Sequence, residues 1–473
     1  MSVPRSLLLQ RVEVDGRPDT QVRLEHGRVA AIGGPELSVP GIEVLDGGGG
    51  ALVRGLNDHH IHLFALAAAD RSVLCGPPSV TGPDALAAVL RSAAAAQPPG
   101  GWVRGVGYDD AVVGRLSAAD LDRLLGDLAD RPTRISHRSG HAWLLNTEAR
   151  HRLGLDPGGG LLLDADELLR ERLGGEVPDL TAVSRRLARA GVTGVTDAGA
   201  HNGPTELAAL RSAVERGELR QRCLVLGGVD LPADLSDPAD LSDPADPTTA
   251  HGLIRTGALK IVLAEHDLPG LDELVDRIAA AGSRGVALHA VSLETLVLAV
   301  AALAVDGRPG QRIEHASVAP PPLVTELARL RARVVTQPGF VFGHGDRYQR
   351  HVAAADQPWL YRLRGWLEAG VRLGAGSDAP YGPDDPWTSI RAAVQRRTST
   401  GASFGAAESL TPEQALGLWT GPLEAPGRAP APLAVGDRAD LCLLSRPWRQ
   451  AREELSADLV QVTLVGGQPI TPE

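Results

Sequence analysis

Between residues 51 and 377 the chain alternates short apolar runs with stretches that read as amphipathic, alanine-rich helices. The runs are Ala51–Leu56, Gly191–Asp197, Arg222–Gly228, Ala258–Leu263, Gly285–His289, Arg312–His315, Arg333–Gln337 and Arg372–Ser377. Helical stretches such as Leu271–Ala281 and Glu294–Val305 lie between them. A run of four to eight apolar residues has the length of a buried strand, and strands that alternate with helices build a parallel sheet. Eight such units predict an α/β fold, a (β/α)8 TIM-like barrel closed on itself.

The two ends of the chain read differently. Residues 1–50 are short strand-like segments punctuated by Asp15-Gly16 and His26-Gly27, and the last forty residues resemble them. Chain termini often lie close together. The pattern therefore predicts a small β-sandwich domain formed by both termini (1–52 and 426–473) and a barrel over 53–425. Residues 64–190 are too long for one connection. They carry helices (Asp84–Ala95, Ala118–Ala129) and extra strands (Trp102–Val106, Thr133–His137), and read as a large insertion after barrel strand 1, a lid subdomain. The hexapeptide Asp234–Ala239 recurs as Asp240–Ala245 and reads as a surface loop. Thr411-Pro412-Glu413-Gln414 has the residues of a capping box with proline at the first helical position.

Composition narrows the function. The net charge is −11, which disfavours a nucleic-acid partner. Three cysteines, far apart and odd in number, form no disulfide framework or zinc knuckle. No signal peptide or membrane-spanning run is read, so the expected location is the cytoplasm and the expected partner a small molecule, with a homodimer as the expected assembly. Of the 47 basic residues, only Lys260 is a lysine. Under so strong an arginine bias, a surviving lysine inside an apolar run suggests a task that guanidinium cannot do, because an amine can lose its proton.

The chemistry-bearing residues gather at the ends of the predicted strands. His60-Ile61-His62 follows the first; on an extended chain residues i and i+2 face the same way, so both imidazoles can reach one metal, while His59 points elsewhere. Lys260 lies in the fourth strand, His289 and His315 end the fifth and sixth, and Asp378 follows the eighth. In a barrel of this kind the C-terminal strand ends carry the active site. His141 and Trp143 in the insertion, Gln337 after strand seven and His344 in the loop beyond it are candidates for substrate binding.

With these segments in view, the chain resembles the amidohydrolase superfamily, and more closely its family 3 branch, which includes N-substituted formamide deformylases. The matching segments are Gly55–His62, Gly140-His141-Ala142-Trp143 with Asn146, Gly191–Asp197, Leu288-His289-Ala290, Glu314-His315-Ala316, Gly376–Pro380 and Asp385-Pro386-Trp387. The resemblance implies two divalent metal ions. His60, His62 and Asp378 would hold one, and His289 and His315 the other. A CO2-derived carbamate on Lys260 would bridge them. Asp378 would also act as general base. Imidazole and carboxylate ligands favour Zn2+, with Mn2+ or Fe2+ as alternatives. The implied reaction is hydrolysis of an amide, formamide or cyclic amide by a metal-activated hydroxide. Two other readings stay open: a mononuclear-metal deaminase of an amino-substituted ring, and a non-catalytic relative of the fold.

Overall fold

A computed structural model describes residues 6–77, 79–140, 142–163, 165–174, 177–233, 250–429 and 431–470. The repeated acidic hexapeptide and His141 lie outside the described residues. The chain divides into two compact units, one of Met1–His62 with Leu180–Glu473, the other of Leu63–Asp179.

The first unit contains the barrel. Its strands are β1 (Leu56–Ile61), β2 (Val192–Asp197), β3 (Arg222–Gly227), β4 (Ile254–Val262), β5 (Val286–Ala290), β6 (Arg312–His315), β7 (Arg333–Thr336) and β8 (Arg372–Ala375). Each pairs in parallel with its sequence neighbour. The ring is nearly closed, and β8 meets β1 where the Asp378 N–H donates to the His60 carbonyl at 2.7 Å. Every residue of β2 and of β6 is buried, as expected of strands covered on both faces.

The same unit contains two four-stranded sheets, the first from the N-terminal end and the second joining three C-terminal strands to one N-terminal strand. The first runs, in spatial order, Arg28–Gly33, Arg17–Glu25, Leu7–Val14, Glu43–Asp46. The second runs Gln468–Pro469, Val460–Val465, Leu441–Leu444, Leu52–Arg54. Leu7, Leu9, Val22 and Leu24 share one apolar cluster with Leu441, Leu443 and Leu464, so the two sheets form a sandwich over a common core.

The first predicted strand is corrected here. Leu52–Arg54 belongs to the terminal sandwich, and the barrel strand begins at Leu56. Gly55 marks the crossing: a Cβ there would lie 2.2 Å from the Thr193 side chain, so only glycine lets the chain pass so close to β2. The predicted loop with His344 is a helix, Gly339–His351, which starts directly after Pro338 and buries Phe340, Val341 and Gly345. Thr411 caps its helix with a full capping box.

The second unit is a five-stranded sheet with helices. Strands Val73–Leu74, Val103–Tyr108 and Thr133–His137 pair in parallel; Ala142–Leu145 and Leu162–Leu163 follow antiparallel. Buried Asn146 ties it together. Its Oδ1 accepts from Thr133 N at 2.8 Å and Ala149 N at 3.0 Å, and its Nδ2 donates to the carbonyls of Ala129 and Arg131, each at 3.0 Å. Trp143 lies partly buried against the cluster of Leu145, Ala149 and Leu153, with the Arg134 guanidinium 5.7 Å from its ring centre. Among the described residues, no helix is long and apolar enough to cross a membrane.

Candidate metal centre

The site is assembled where β1, β4, β5, β6 and β8 end. His60 Nε2 lies 3.5 Å from Asp378 Oδ1, and His62 Nε2 lies 3.1 Å from the same oxygen. The His60 and His315 ring centres are 4.8 Å apart, and those of His315 and His289 are 4.4 Å apart. Donor atoms of His60, His315 and Asp378 all fall within 4.8 Å of one another, and all three residues are buried. His62 and His289 thus adjoin this inner trio without belonging to it. His59 is buried with neither ring nitrogen bonded to any described residue, and it is not part of the trio.

Backbone geometry aims these groups. Asp378 and His315 adopt φ values of 55° and 71°, in the sparsely populated left-handed region, and Ala316 follows at 46°. Strain of this kind persists where the surroundings over-determine it, and it concentrates at functional sites. Gly376 lets β8 press on β1, since a Cβ there would come within 2.6 Å of His60 Cβ and N. Behind them, buried Asp58 accepts from Ser377 N at 2.9 Å and His60 N at 3.1 Å, which locks the two strand ends together. Burial pushes the Asp58 carboxyl up to about 7 against the opposing effect of these bonds.

Each inner imidazole has one nitrogen committed. His60 Nδ1–H donates to Glu314 Oε2 at 2.5 Å, leaving Nε2 toward Asp378. His315 Nδ1–H donates to Gln337 Oε1 at 2.9 Å, and its Nε2 is buried without a partner among the described residues. A carbonyl or carboxylate behind one ring nitrogen fixes the tautomer and presents the other nitrogen's lone pair, as in metal-ligating histidines. Burial, then the charge of Lys260, pulls His60 down to about 3, so the ring is neutral and fit to ligate. Burial also lowers His315.

Glu314 and Arg312 stand directly behind His60, and the sequence reading gave neither a role. Arg312 Nε and Nη2 meet the two Glu314 oxygens at 2.8 and 3.2 Å, and Arg312 Nη2 also donates to the His59 carbonyl at 3.0 Å. Burial alone would raise Glu314, but Arg312, Lys260 and His60 outweigh it and hold the carboxyl well below its usual range. The available signal was an arginine and a glutamate two apart in a short buried strand, a spacing that puts both on one face.

Lys260 is buried and its Nζ has no hydrogen-bond partner among the described residues. Burial brings it down to about 8, against the pull of Glu314 and Asp378. An ammonium left unpaired in the interior is costly. A neutral amine, or an amine converted into an acidic ligand, fits this place better. For Asp378 burial acts upward, but His60, His62 and His315 together bring it below the ordinary carboxylate range. The donor set therefore fits a divalent cation: neutral imidazoles with preset tautomers, an ionised carboxylate and an orphaned amine.

Of the other predicted residues, Gln337 is buried against His315. His344 lies one shell out, with Nε2 3.0 Å from the Tyr381 carbonyl and its ring 5.0 Å from Phe340. Tyr381 in turn sets its ring 5.8 Å from His62. Trp143 belongs to the second unit.

The model of the amidohydrolase family matches residues 43–471. An N-substituted formamide deformylase from Arthrobacter pascens is 27% identical, over 94% of each chain. A solved metal-dependent hydrolase from Pyrococcus horikoshii, itself uncharacterised, superposes with a TM-score of 0.72 at 18% identity, covering 98% of this chain and 99% of its own. N-isopropylammelide isopropylaminohydrolase from Burkholderia multivorans gives 0.52 at 18% identity, over 99% and 98% of the two chains.

Proposed function

The chain belongs to the amidohydrolase family, and from that premise we propose that it is a metal-dependent hydrolase cleaving a non-peptide C–N bond in a small amide, formamide or cyclic amide. The observation that carries the reading is the trio of His60, His315 and Asp378 beside the orphaned amine of Lys260. Two of the similar proteins bear names of C–N hydrolysis, one a formamide deformylase and the other an isopropylaminohydrolase.

In this reading His60, His62 and Asp378 would hold one divalent cation, and His289 with His315 would hold a second. Zn2+ suits the ligands best, with Mn2+ and Fe2+ as alternatives. Such a cation, when bound, supplies an acidified water and a Lewis acid for the acyl oxygen. The Lys260 amine, once deprotonated, would add to CO2, forming an N–C bond and releasing one proton, and the resulting carbamate would supply a further anionic oxygen ligand. Asp378, whose carboxyl lies below the ordinary carboxylate range, would take the proton of the attacking water on a carboxylate oxygen. It then returns that proton to the departing nitrogen, which is a poor leaving group without it. Glu314 and Gln337 keep the rings of His60 and His315 in place through these steps.

The test is metal content per chain, in wild type and Lys260→Arg, alongside amine release from N-substituted formamides, simple amides and cyclic amides. Two equivalents in wild type, falling sharply in the variant, with metal-dependent amine release, support the reading. One equivalent unchanged by the substitution removes the carbamate and favours the one-metal deaminase, which would then release ammonia from amino-substituted rings. Failure of the metal-loaded protein to cleave any C–N substrate overturns the assignment.

A further inference from the structure

Several buried polar atoms at the barrel mouth have no partner among the described residues, and they are not of one kind. His315 Nε2 is a lone-pair donor and Lys260 Nζ an amine, so both have a place in a metal centre. Gln337 Nε2 has none. It is an amide N–H2, which carries protons and cannot ligate a cation. Yet Gln337 is fully buried, and this end of its side chain is unpaired.

Its position is fixed by the other end. Gln337 Oε1 accepts from His315 Nδ1 at 2.9 Å, and that nitrogen lies 3.8 Å from Asp378 Oδ2. Oxygen and nitrogen of one planar amide share a carbon, so Nε2 is held within a few ångströms of the same ligands. A buried donor left without an acceptor is destabilising. An acceptor set against Nε2, from an ordered water or from a ligand in the centre, relieves that cost.

We propose that Gln337 is a two-ended group whose oxygen sets the tautomer of His315 while its Nε2–H2 donates to the substrate's acyl oxygen as that oxygen gains charge. The proposal rests on the C–N hydrolase reading and adds to it a specific transition-state donor. No covalent bond forms or breaks at Gln337. The side chain is locked before substrate arrives, because its oxygen is already engaged, and a preorganised donor is worth more against a developing oxyanion than against a neutral carbonyl.

Two variants separate the two ends. Gln337→Glu retains an oxygen for His315 and loses the donor; Gln337→Met loses both. Gln337→Glu should keep its metal content and a KM within about threefold of wild type, while kcat falls about 100- to 1000-fold, the usual effect of removing one such donor. Gln337→Met should also lose metal, in the amount attributable to an unsupported His315. A kcat for Gln337→Glu within threefold of wild type at full metal content would overturn the proposal, leaving Gln337 a purely structural prop. If wild type cleaves no C–N substrate, the functional reading fails, and the donor is read by calorimetry with methylphosphonate as a tetrahedral oxyanion. Gln337→Met reloaded to equal metal content should then bind the anion at least tenfold more weakly; equal affinity would refute the donor.

Discussion

Replacing Glu314 by glutamine tests the arrangement behind the metal centre. The side chain is fully buried, takes both polar ends of Arg312 and accepts from His60 at 2.5 Å. Glutamine preserves the shape but removes the charge, so the Arg312 guanidinium, itself about one-twentieth exposed, is left without its counter-ion. Breaking a buried pair on one side costs about 3–5 kcal/mol. At about 2 °C per kcal/mol for a large domain, that is a loss of roughly 6–10 °C in Tm. The amide can also turn its NH2 toward His60 Nδ1 and clash with the tautomer that presents Nε2. Loss of such a supporting carboxylate typically weakens metal binding about 10- to 100-fold. Chelator competition and calorimetry on the same samples measure both effects. Joint replacement, Arg312→Leu with Glu314→Leu, should recover much of the Tm but none of the metal affinity, since apolar residues can substitute for a buried ion pair but not for an acceptor. A Glu314→Gln protein with unchanged metal affinity and a Tm within 1 °C of wild type would refute this account of how His60 is held.

Other consequences can be checked separately. Gly376→Ala places a Cβ 2.6 Å from His60 backbone and Cβ atoms; it should cost about 1–3 kcal/mol as an overpacked contact and lower metal content, read by thermal unfolding and elemental analysis. Asn146→Ala removes four hydrogen bonds from the second unit and leaves buried backbone groups unpaired. A loss of at least about 3 kcal/mol is expected, seen as early protease cleavage within residues 63–179, with metal per folded chain unchanged. Glu408 sets the acid limb of stability. Burial would raise its carboxyl, but the Gly365 N–H, Arg362 and the Leu363 N–H outweigh burial and lower it from 4.5. A depressed folded value means the stabilisation is complete above the unfolded value and fades as pH falls through the folded one. The Tm gap between wild type and Glu408→Gln should therefore be constant above about pH 5.5 and shrink steadily below pH 4.5; a gap that widens on acidification would contradict it.

Much of this molecule was legible because it obeys local rules. Eight apolar runs with helices between them specify a parallel barrel, and the strand ends collected His60, His289, His315 and Asp378 before any coordinates. The errors arose where long-range contact overrides local pattern. Leu52–Arg54 and Leu56–Ile61 look like one strand in sequence; Gly55 divides them only because Thr193 lies against it. The stretch after Pro338 reads as a loop because it follows strand seven at the barrel mouth, yet Gly345 lies against Thr398 and buries a helix face there. Glu314 was passed over because a glutamate beside a histidine suggests nothing by itself. Its role depends on a histidine 254 positions away. Lys260 was the opposite case, conspicuous through composition alone.

One feature of β6 bears on how such a centre can change over time. Neighbouring residues of a strand normally face opposite sides, yet Glu314 and His315 both reach His60, because the chain turns into a left-handed conformation at His315. A single strand terminus therefore supplies both the brace of one ligand and the next ligand itself. A one-residue insertion or deletion there would remove both together, with no half-functional intermediate between. The centre is consequently brittle toward length change at this point but open to variation in the loops beyond it. Descendants of this chain should diversify their substrates by rebuilding those loops while this dipeptide stays put.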